Sequence, residues 1–144
     1  MKARVQWLDG RAFVGESGSG HAIVMDGAPD SGGRNIGVRP MEMLLLGLGG
    51  CTAFDVVMIL ERMREKVTAL DIALEAERAA EDPKVFTRVK LIYKLRGHKL
   101  KPANVERAIN LSAEKYCSAS IMFGKTATIE HAFEITEEGE TVNA

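Results

Sequence analysis

The chain has 144 residues and a mass of 15.7 kDa, which is the size of one domain with enough length to bury a hydrophobic core. Its hydrophobic fraction of 46% and charged fraction of 27% are those of an ordinary globular protein and exclude an intrinsically disordered chain. The net charge of -1 provides no basic footprint for nucleic acid or for an anionic membrane surface, so we expect neither partner.

The first 26 residues predict a small antiparallel β-meander. Asp9-Gly10 is a strong two-residue hairpin signal, and the Ser-Gly-Ser-Gly run at 17–20 makes a second turn before the apolar residues 22–25. The glycine-rich segment 27–39 predicts a connector. Because the N-terminus contains no apolar run of signal-peptide length, we expect a cytoplasmic protein.

A long helix is predicted from Pro40 to about Lys66. Proline suits the first helical position, where its missing N–H costs nothing. Glu42 and Asp55 interrupt the apolar run, and a charge inside a membrane span is expensive, so the pattern favours a buried helix over a membrane span. Residues 41–54 are apolar nearly all round the helix, which predicts burial on every side.

A domain of this size can hardly surround such a helix by itself. A second copy of the chain is the simplest way to cover the remaining apolar surface of the helix, so the sequence predicts a homodimer. The small residues Gly47, Gly49 and Gly50 would allow helices to approach closely.

The second half of the chain predicts a β-hairpin, a second helix and a final strand. Apolar residues alternate over 70–76 and again over 89–95, on either side of a turn. A helix is expected from about 102 to 116, and a strand from about 126 to 135. The polar tail 137–144 is expected to fray. This order of elements predicts a single α+β domain spanning 1–144.

The sequence does not match the usual motifs of cofactor-binding or metal-binding sites. Gly124-Lys125-Thr126 resembles the end of a phosphate-binding loop, but Ala119 stands where its first glycine would be. The three histidines are far apart and have no metal-ligand spacing. We therefore expect no cofactor and no bound metal.

The two cysteines, Cys51 and Cys117, are the most informative residues. A free cysteine usually behaves as a small buried hydrophobe. Side chains on a helix lean toward its N-terminus, however, so the Cys51 sulfur should lie over Gly47, with open space beside it. Cys117 falls at the end of the second predicted helix. Two thiols that meet can cycle between dithiol and disulfide, but the sequence separation neither supports nor forbids a meeting.

The sequence does not show which group would stabilise the Cys51 thiolate. The cysteine lies about three turns into its helix, too far for the helix dipole to help much, and the charge of Asp55 on the same face would raise the pKa of the thiol. A cation must therefore come from elsewhere, and Arg11, Arg34 and Arg39 all stay open.

With these residues considered, the chain resembles the OsmC/Ohr family, the osmotically inducible protein C and organic hydroperoxide resistance proteins, and most of all its YhfA-like branch. The stretches that carry the likeness are ESGSGHAIVMDG, RPMEMLLLGLGGCTAFDVVMIL and LSAEKYCSASIM. The resemblance implies an OsmC-like α+β fold in which two chains intertwine, with their central helices packed together and two active sites at the dimer interface.

The resemblance also implies a thiol peroxidase that reduces organic hydroperoxides or hydrogen peroxide. Cys51 would attack the peroxide and become a sulfenic acid, and Cys117 would resolve it to a disulfide. In the Ohr branch dihydrolipoyl groups reduce that disulfide. The family's peroxidases carry a glutamate directly after the proline that opens the helix; here Met41 takes that place and Glu42 follows one step later. Glu42 and Arg39, which adjoins the same proline, are the nearest candidates for the activating pair.

Two other functions stay open at this point. The protein could be a non-enzymatic binding protein whose apolar dimer groove holds a hydrophobic ligand and whose cysteines are passive. The dimer could also serve as a structural partner in a stress response.

Overall fold

In the computed structural model, which describes residues 1–139, a three-stranded sheet is followed by a long helix, a β-hairpin, two shorter helices and a last strand. This is the predicted α+β order with one additional short helix before the last strand. The chain divides into two units at Leu46 and Gly47, and each unit is described by itself. Of the tail that is predicted to fray, residues 140–144 lie outside the described residues.

The first unit contains the predicted meander. Strands β1 (Ala3–Asp9), β2 (Ala12–Ser17) and β3 (Ala22–Met25) pair in that order, each antiparallel to the next. Gly10 in the first turn has a φ of 51°, a left-handed conformation that glycine adopts without steric cost. The hairpin signal at Asp9-Gly10 is thereby confirmed.

One buried carboxylate organises the connector that follows β3. Asp26 accepts hydrogen bonds from the backbone N–H groups of Gly27 at 2.8 Å, Arg34 at 2.9 Å and Ile36 at 3.3 Å. Burial of Asp26 favours its neutral form, but these three donors outweigh that effect and lower the pKa of the carboxyl group. The glycine-rich segment is therefore an ordered loop around one side chain, with a short 3-10 turn at Pro29–Ser31 that the sequence pattern did not indicate.

We expect Asp26→Ala to lower the free energy of unfolding at neutral pH. The variant should also lose less of that free energy than the wild type as the pH falls. The folded carboxyl pKa lies below the unfolded value, so its contribution is present above pH of about 4 and disappears as pH falls through the folded pKa. Urea unfolding between pH 7 and pH 3 measures this. Asp30→Ala, at an exposed site in the same loop, is the control and should keep the wild-type pH dependence.

Helix α1 (Pro40–Arg62) begins at the predicted proline and ends four residues before the predicted Lys66. Arg64 has a φ of 61°, which cannot continue a right-handed helix, and strand β4 begins at Lys66. By length and composition α1 could cross a membrane, but a core helix passes the same test. Part of α1 is buried, although the Phe54 side chain is 72% exposed, so a single chain does not surround the helix.

The second unit is built on a mixed sheet. Strands β4 (Lys66–Arg78) and β5 (Phe86–His98) form the predicted antiparallel hairpin, and β6 (Thr128–Glu137) pairs with β5 in parallel. The predicted inward face of β5 is confirmed, because these side chains are buried: Val89, Leu91, Tyr93 and Leu95. A Cβ atom at Gly49 of α1 would lie 2.9 Å from Cδ1 of Leu74, so this glycine lets the helix pack tightly against β4.

The connection from β5 to β6 carries the second cysteine. Helix α2 (Pro102–Leu111) widens into a π turn at Ser112–Tyr116, and after Cys117 a short helix α3 (Ser118–Phe123) follows. The sequence predicted one helix up to Tyr116 and no α3. Cys117 lies at the junction and has an extended backbone, which places it at the N-cap of α3.

Candidate active site

The fold brings the two cysteines of the chain together within the second unit. The Sγ atoms of Cys51 and Cys117 and a carboxylate oxygen of Asp55 all lie within 4.8 Å of one another, and both cysteines are free thiols. This separation is within reach of a disulfide after a small side-chain movement, since a bonded pair of sulfurs is ~2.05 Å apart. The two thiols therefore meet, as the family resemblance implied and as the sequence separation alone left open.

The two sulfurs differ in their access to solvent. Cys51 is half-buried, whereas Cys117 is fully buried. A Cβ atom placed on Gly47 would meet no described atom within 4 Å, so open space lies beside the preceding turn of α1. Cys51 is the thiol that a small molecule can reach first, and Cys117 lies behind it.

Hydrogen-bond donors surround the buried sulfur. The backbone N–H of Ser120 points to Cys117 Sγ at 3.4 Å, as expected for an N-cap, and the Thr52 hydroxyl lies 3.3 Å from the same sulfur. The Ser120 hydroxyl is also near, but it meets no acceptor with hydrogen-bond geometry among the described residues. These neutral donors would stabilise a thiolate at Cys117, at the start of α3.

The pKa values of the two thiols move in opposite directions. Burial alone would raise the pKa of Cys117, but hydrogen bonds from Ser120, Thr52 and the Cys51 thiol outweigh it, so the pKa of Cys117 is lowered. For Cys51, the Ala119 backbone N–H favours the thiolate, yet burial, Cys117 and Asp55 together raise its pKa. Of the two thiols, Cys117 therefore gives up its proton more readily than Cys51. The Asp55 charge thus acts on the pKa of the Cys51 thiol in the direction expected from its position on the helix.

Asp55 itself is held in place by the π turn. The carboxylate is 8% exposed, and Ser112 Oγ donates to Asp55 Oδ2 at 3.3 Å. Within residues 47–139, Asp55 makes no salt bridge. Its contribution could be foreseen only in part, because the spacing of Cys51 and Asp55 is visible in the sequence but the approach of Ser112 is not.

The other two predicted site residues belong to the first unit and contact each other. The Arg39 guanidinium pairs with the Glu42 carboxylate at 3.0 Å, and the Arg39 backbone N–H donates to the same carboxylate at 2.9 Å. This second contact is half of a capping box at the start of α1. The backbone hydrogen bond from Arg39 is the largest effect on the pKa of Glu42, and together with the Arg39 side chain it outweighs burial and lowers that pKa. A role for Arg39 and Glu42 at the thiol pair stays a prediction.

A polar pair that the sequence did not single out as a site lies on the sheet. Tyr93 is buried, its hydroxyl lies 3.0 Å from His131 Nδ1, and the two rings are 5.8 Å apart. Burial of Tyr93, and then the charge of Cys117, raise the pKa of its hydroxyl, while burial lowers the pKa of His131. Both shifts favour the neutral forms, so this is a contact between a neutral phenol and a neutral imidazole, in which either group can donate the hydrogen. Their proximity comes from the parallel register of β5 and β6, which a strand pattern does not reveal.

The stability of the protein should fall as pH drops through the histidine range. An imidazole whose folded pKa is lowered binds fewer protons than the unfolded chain below about pH 6.5, so acid favours unfolding there. We expect His131→Gln to remove part of the stability loss between pH 7 and pH 5 in urea unfolding. His98→Gln, at an exposed histidine, should retain the wild-type pH dependence; equal pH profiles for all three proteins would contradict the assignment.

Comparison with known proteins places this site in a family. The sequence model of the family described as OsmC-like protein matches residues 31–132. The chain is 47% identical to the protein YhfA of Escherichia coli K12 over 135 residues, covering 94% of this chain and 98% of YhfA.

Solved structures share the fold over nearly the whole chain. A crystal structure of a hypothetical protein from Aquifex aeolicus has a TM-score of 0.84 at 26% identity and covers 95% of this chain and 96% of its own. A crystal structure from Legionella pneumophila, described as an organic hydroperoxide resistance protein OsmC, has a TM-score of 0.69 at 14% identity. The match covers 92% of this chain and 95% of the Legionella chain. At that identity the likeness concerns the fold alone.

Proposed function

The chain belongs to the OsmC family, and on that premise we propose that it is a cytoplasmic thiol-dependent peroxidase that reduces organic hydroperoxides or hydrogen peroxide through Cys51 and Cys117. The observation that carries the proposal is the half-buried Cys51 sulfur with the buried Cys117 sulfur directly behind it, within 4.8 Å. The names of structural neighbours, among them organic hydroperoxide resistance proteins from Legionella pneumophila and Elizabethkingia anophelis, support it.

The cycle follows from the positions of the two sulfurs. The Cys51 thiolate attacks the terminal peroxide oxygen and breaks the O–O bond, which leaves Cys51 as a sulfenic acid and releases an alkoxide that takes up a proton to become the alcohol. Cys117 then attacks the Cys51 sulfur as a thiolate, and the sulfenic oxygen departs with a proton as water. Two thiols of an external reductant, a dithiol such as a dihydrolipoyl group, return the disulfide to the dithiol by exchange.

The opposite pKa directions of the two thiols suit this order of steps. Cys51 must lose its proton to attack the peroxide, and Cys117 is the adjacent sulfur that can accept it. The Thr52 hydroxyl and the Ser120 backbone N–H favour a Cys117 thiolate in the next step. The alkoxide released in the first step needs a proton, and a Cys117 thiol that has taken up the Cys51 proton is one source.

The experiment is to add one equivalent of cumene hydroperoxide to the reduced protein and to follow free thiols and intact mass. We expect both thiols to disappear with the loss of two hydrogens in mass. Cys51→Ser should abolish the reaction because no accessible thiolate remains. Cys117→Ser should stop at the sulfenic acid, with a gain of one oxygen.

The control for this experiment is Ser118→Ala, an exposed neighbour of Cys117. This variant should react like the wild type. If excess peroxide leaves both thiols of the reduced wild type unchanged, the peroxidase proposal fails, and a binding protein with passive cysteines becomes the better description.

We also propose that the protein is a homodimer. Large apolar side chains of α1 are exposed in the single chain, with Leu44 at 50%, Leu46 at 56% and Phe54 at 72%. Exposure of so many large apolar side chains on one helix is unusual for a monomer and marks a surface that a partner covers.

Phe54→Glu should shift the protein from dimer to monomer in sedimentation velocity, because it puts a charge into the apolar interface. Glu61→Arg, at the exposed end of the same helix, is the control and should leave the sedimentation coefficient unchanged. A wild-type protein that sediments as a monomer would contradict the dimer.

A further inference from the structure

We propose that Cys51, Asp55 and Cys117 form a binding site for a thiophilic divalent cation, and that Zn²⁺ is the ion it takes. The spacing of the histidines gave no reason to expect a metal, and none of the three is a ligand here. The inference concerns the reduced protein and does not depend on peroxidase activity.

The first argument is the placement of the three ligand atoms. Two thiol sulfurs and one carboxylate oxygen lie within 4.8 Å of one another. With Zn–S bonds of ~2.3 Å and Zn–O bonds of ~2.0–2.2 Å, two sulfurs and one oxygen in a tetrahedral site lie about 3.5–3.8 Å apart. The three atoms therefore need to approach one another by no more than about 1.3 Å to reach that geometry.

The second argument is the way the chain supplies the ligands. Cys51 and Asp55 are four residues apart on α1, so their side chains project from the same face of the helix, one turn apart. Cys117 approaches that face from the junction of the π turn and α3, and its contact with Thr52 at 3.3 Å fixes the approach. Helical spacing for two ligands and a third ligand from elsewhere in the fold is a common plan for zinc sites.

The third argument is that the ligands have the supporting contacts of a metal site. Ser112 Oγ donates to Asp55 at 3.3 Å and orients the carboxylate. The Ser120 N–H and the Thr52 hydroxyl contact Cys117 Sγ at 3.4 Å and 3.3 Å. Such outer contacts hold ligands in place and favour the thiolate form that binds a metal.

The fourth argument is charge. A nearly buried carboxylate beside two sulfurs is costly, and within residues 47–139 no salt bridge compensates Asp55. A divalent cation among the three groups would compensate them directly. Half-buried Cys51 leaves a path of entry, and a water molecule can take the fourth position as in open zinc sites.

The site has a consequence for thiol chemistry. A metal that holds both sulfurs blocks the attack of either one on an oxidant, and a Cys51–Cys117 disulfide removes two of the three ligands. Metal binding and oxidation of the pair are therefore mutually exclusive, so the metal would regulate any redox reaction at the pair.

The test uses the reduced full-length protein in metal-free buffer, without peroxide. Co²⁺ is the spectroscopic probe, and Zn²⁺ is titrated in competition with a chromogenic chelator. We expect one Zn²⁺ per chain, together with a thiolate-to-cobalt charge-transfer band and the visible bands of tetrahedral Co²⁺. Protein oxidised with diamide, which forms the disulfide without a peroxide, should show neither.

Variants assign the ligands. Cys51→Ser and Cys117→Ser should each reduce the charge-transfer band and weaken Zn²⁺ binding at least about 100-fold, more than the loss of an outer contact costs. Asp55→Asn should weaken Zn²⁺ binding but keep the charge-transfer band. Asp55→Cys adds a third thiolate and should increase the band per bound Co²⁺, which tests position 55 even if Asp55→Asn folds poorly.

The control is Glu61→Gln, which removes an exposed carboxylate from the same helix and should bind Zn²⁺ like the wild type. Absence of the charge-transfer band in the reduced wild type would overturn the site. Zn²⁺ binding that both cysteine variants retain would overturn it as well, because the ion would then be held elsewhere. Wild-type affinity in a folded Asp55→Asn variant would overturn the three-ligand arrangement.

Discussion

The parallel pairing of β5 with β6 is the constraint on which the rest of the site depends. Parallel neighbours cannot be joined by a tight turn, so the chain must travel back along the sheet before β6 begins. Residues 99–127 make that return as α2, the π turn and α3, and this path passes α1 where Thr52 meets Cys117. Had the pairing been antiparallel through a short hairpin, Cys117 would have no route to Cys51.

The second feature that shapes the chemistry is the concentration of potential negative charge in a nearly closed space. Cys51, Cys117 and Asp55 compete for whatever positive partner is available: a proton, a hydrogen-bond donor or a metal ion. In the structure the partners are neutral hydrogen-bonding groups. They are a hydroxyl group of α1, a hydroxyl group of the π turn and a backbone N–H group at the start of α3. These donors favour a thiolate at Cys117, whereas burial and its neighbours raise the pKa of Cys51.

Much of the fold was predictable because its signals are local. The turn at Gly10 and the alternation on β5 depend on residues close together in the chain, and the structure confirms both. The end of α1 was misplaced because a non-glycine residue, Arg64, adopts the left-handed conformation, which residue type does not announce. Helix α3 was missed because a cysteine provides its N-cap in place of the usual serine, threonine, asparagine or aspartate.

The candidate site also has a part that follows from local sequence patterns and a part that depends on the tertiary structure. The sequence by itself determined that two cysteines exist, that Cys51 lies on a long apolar helix beside Gly47, and that Asp55 shares its face, because helical periodicity relates residues a few positions apart. Only the tertiary structure decided that Cys117 lies behind Cys51, that Ser112 and Thr52 hold the cluster, and that Tyr93 meets His131. Those contacts join residues 38 to 66 positions apart, and strand pairing and helix packing, which no local pattern encodes, bring them together.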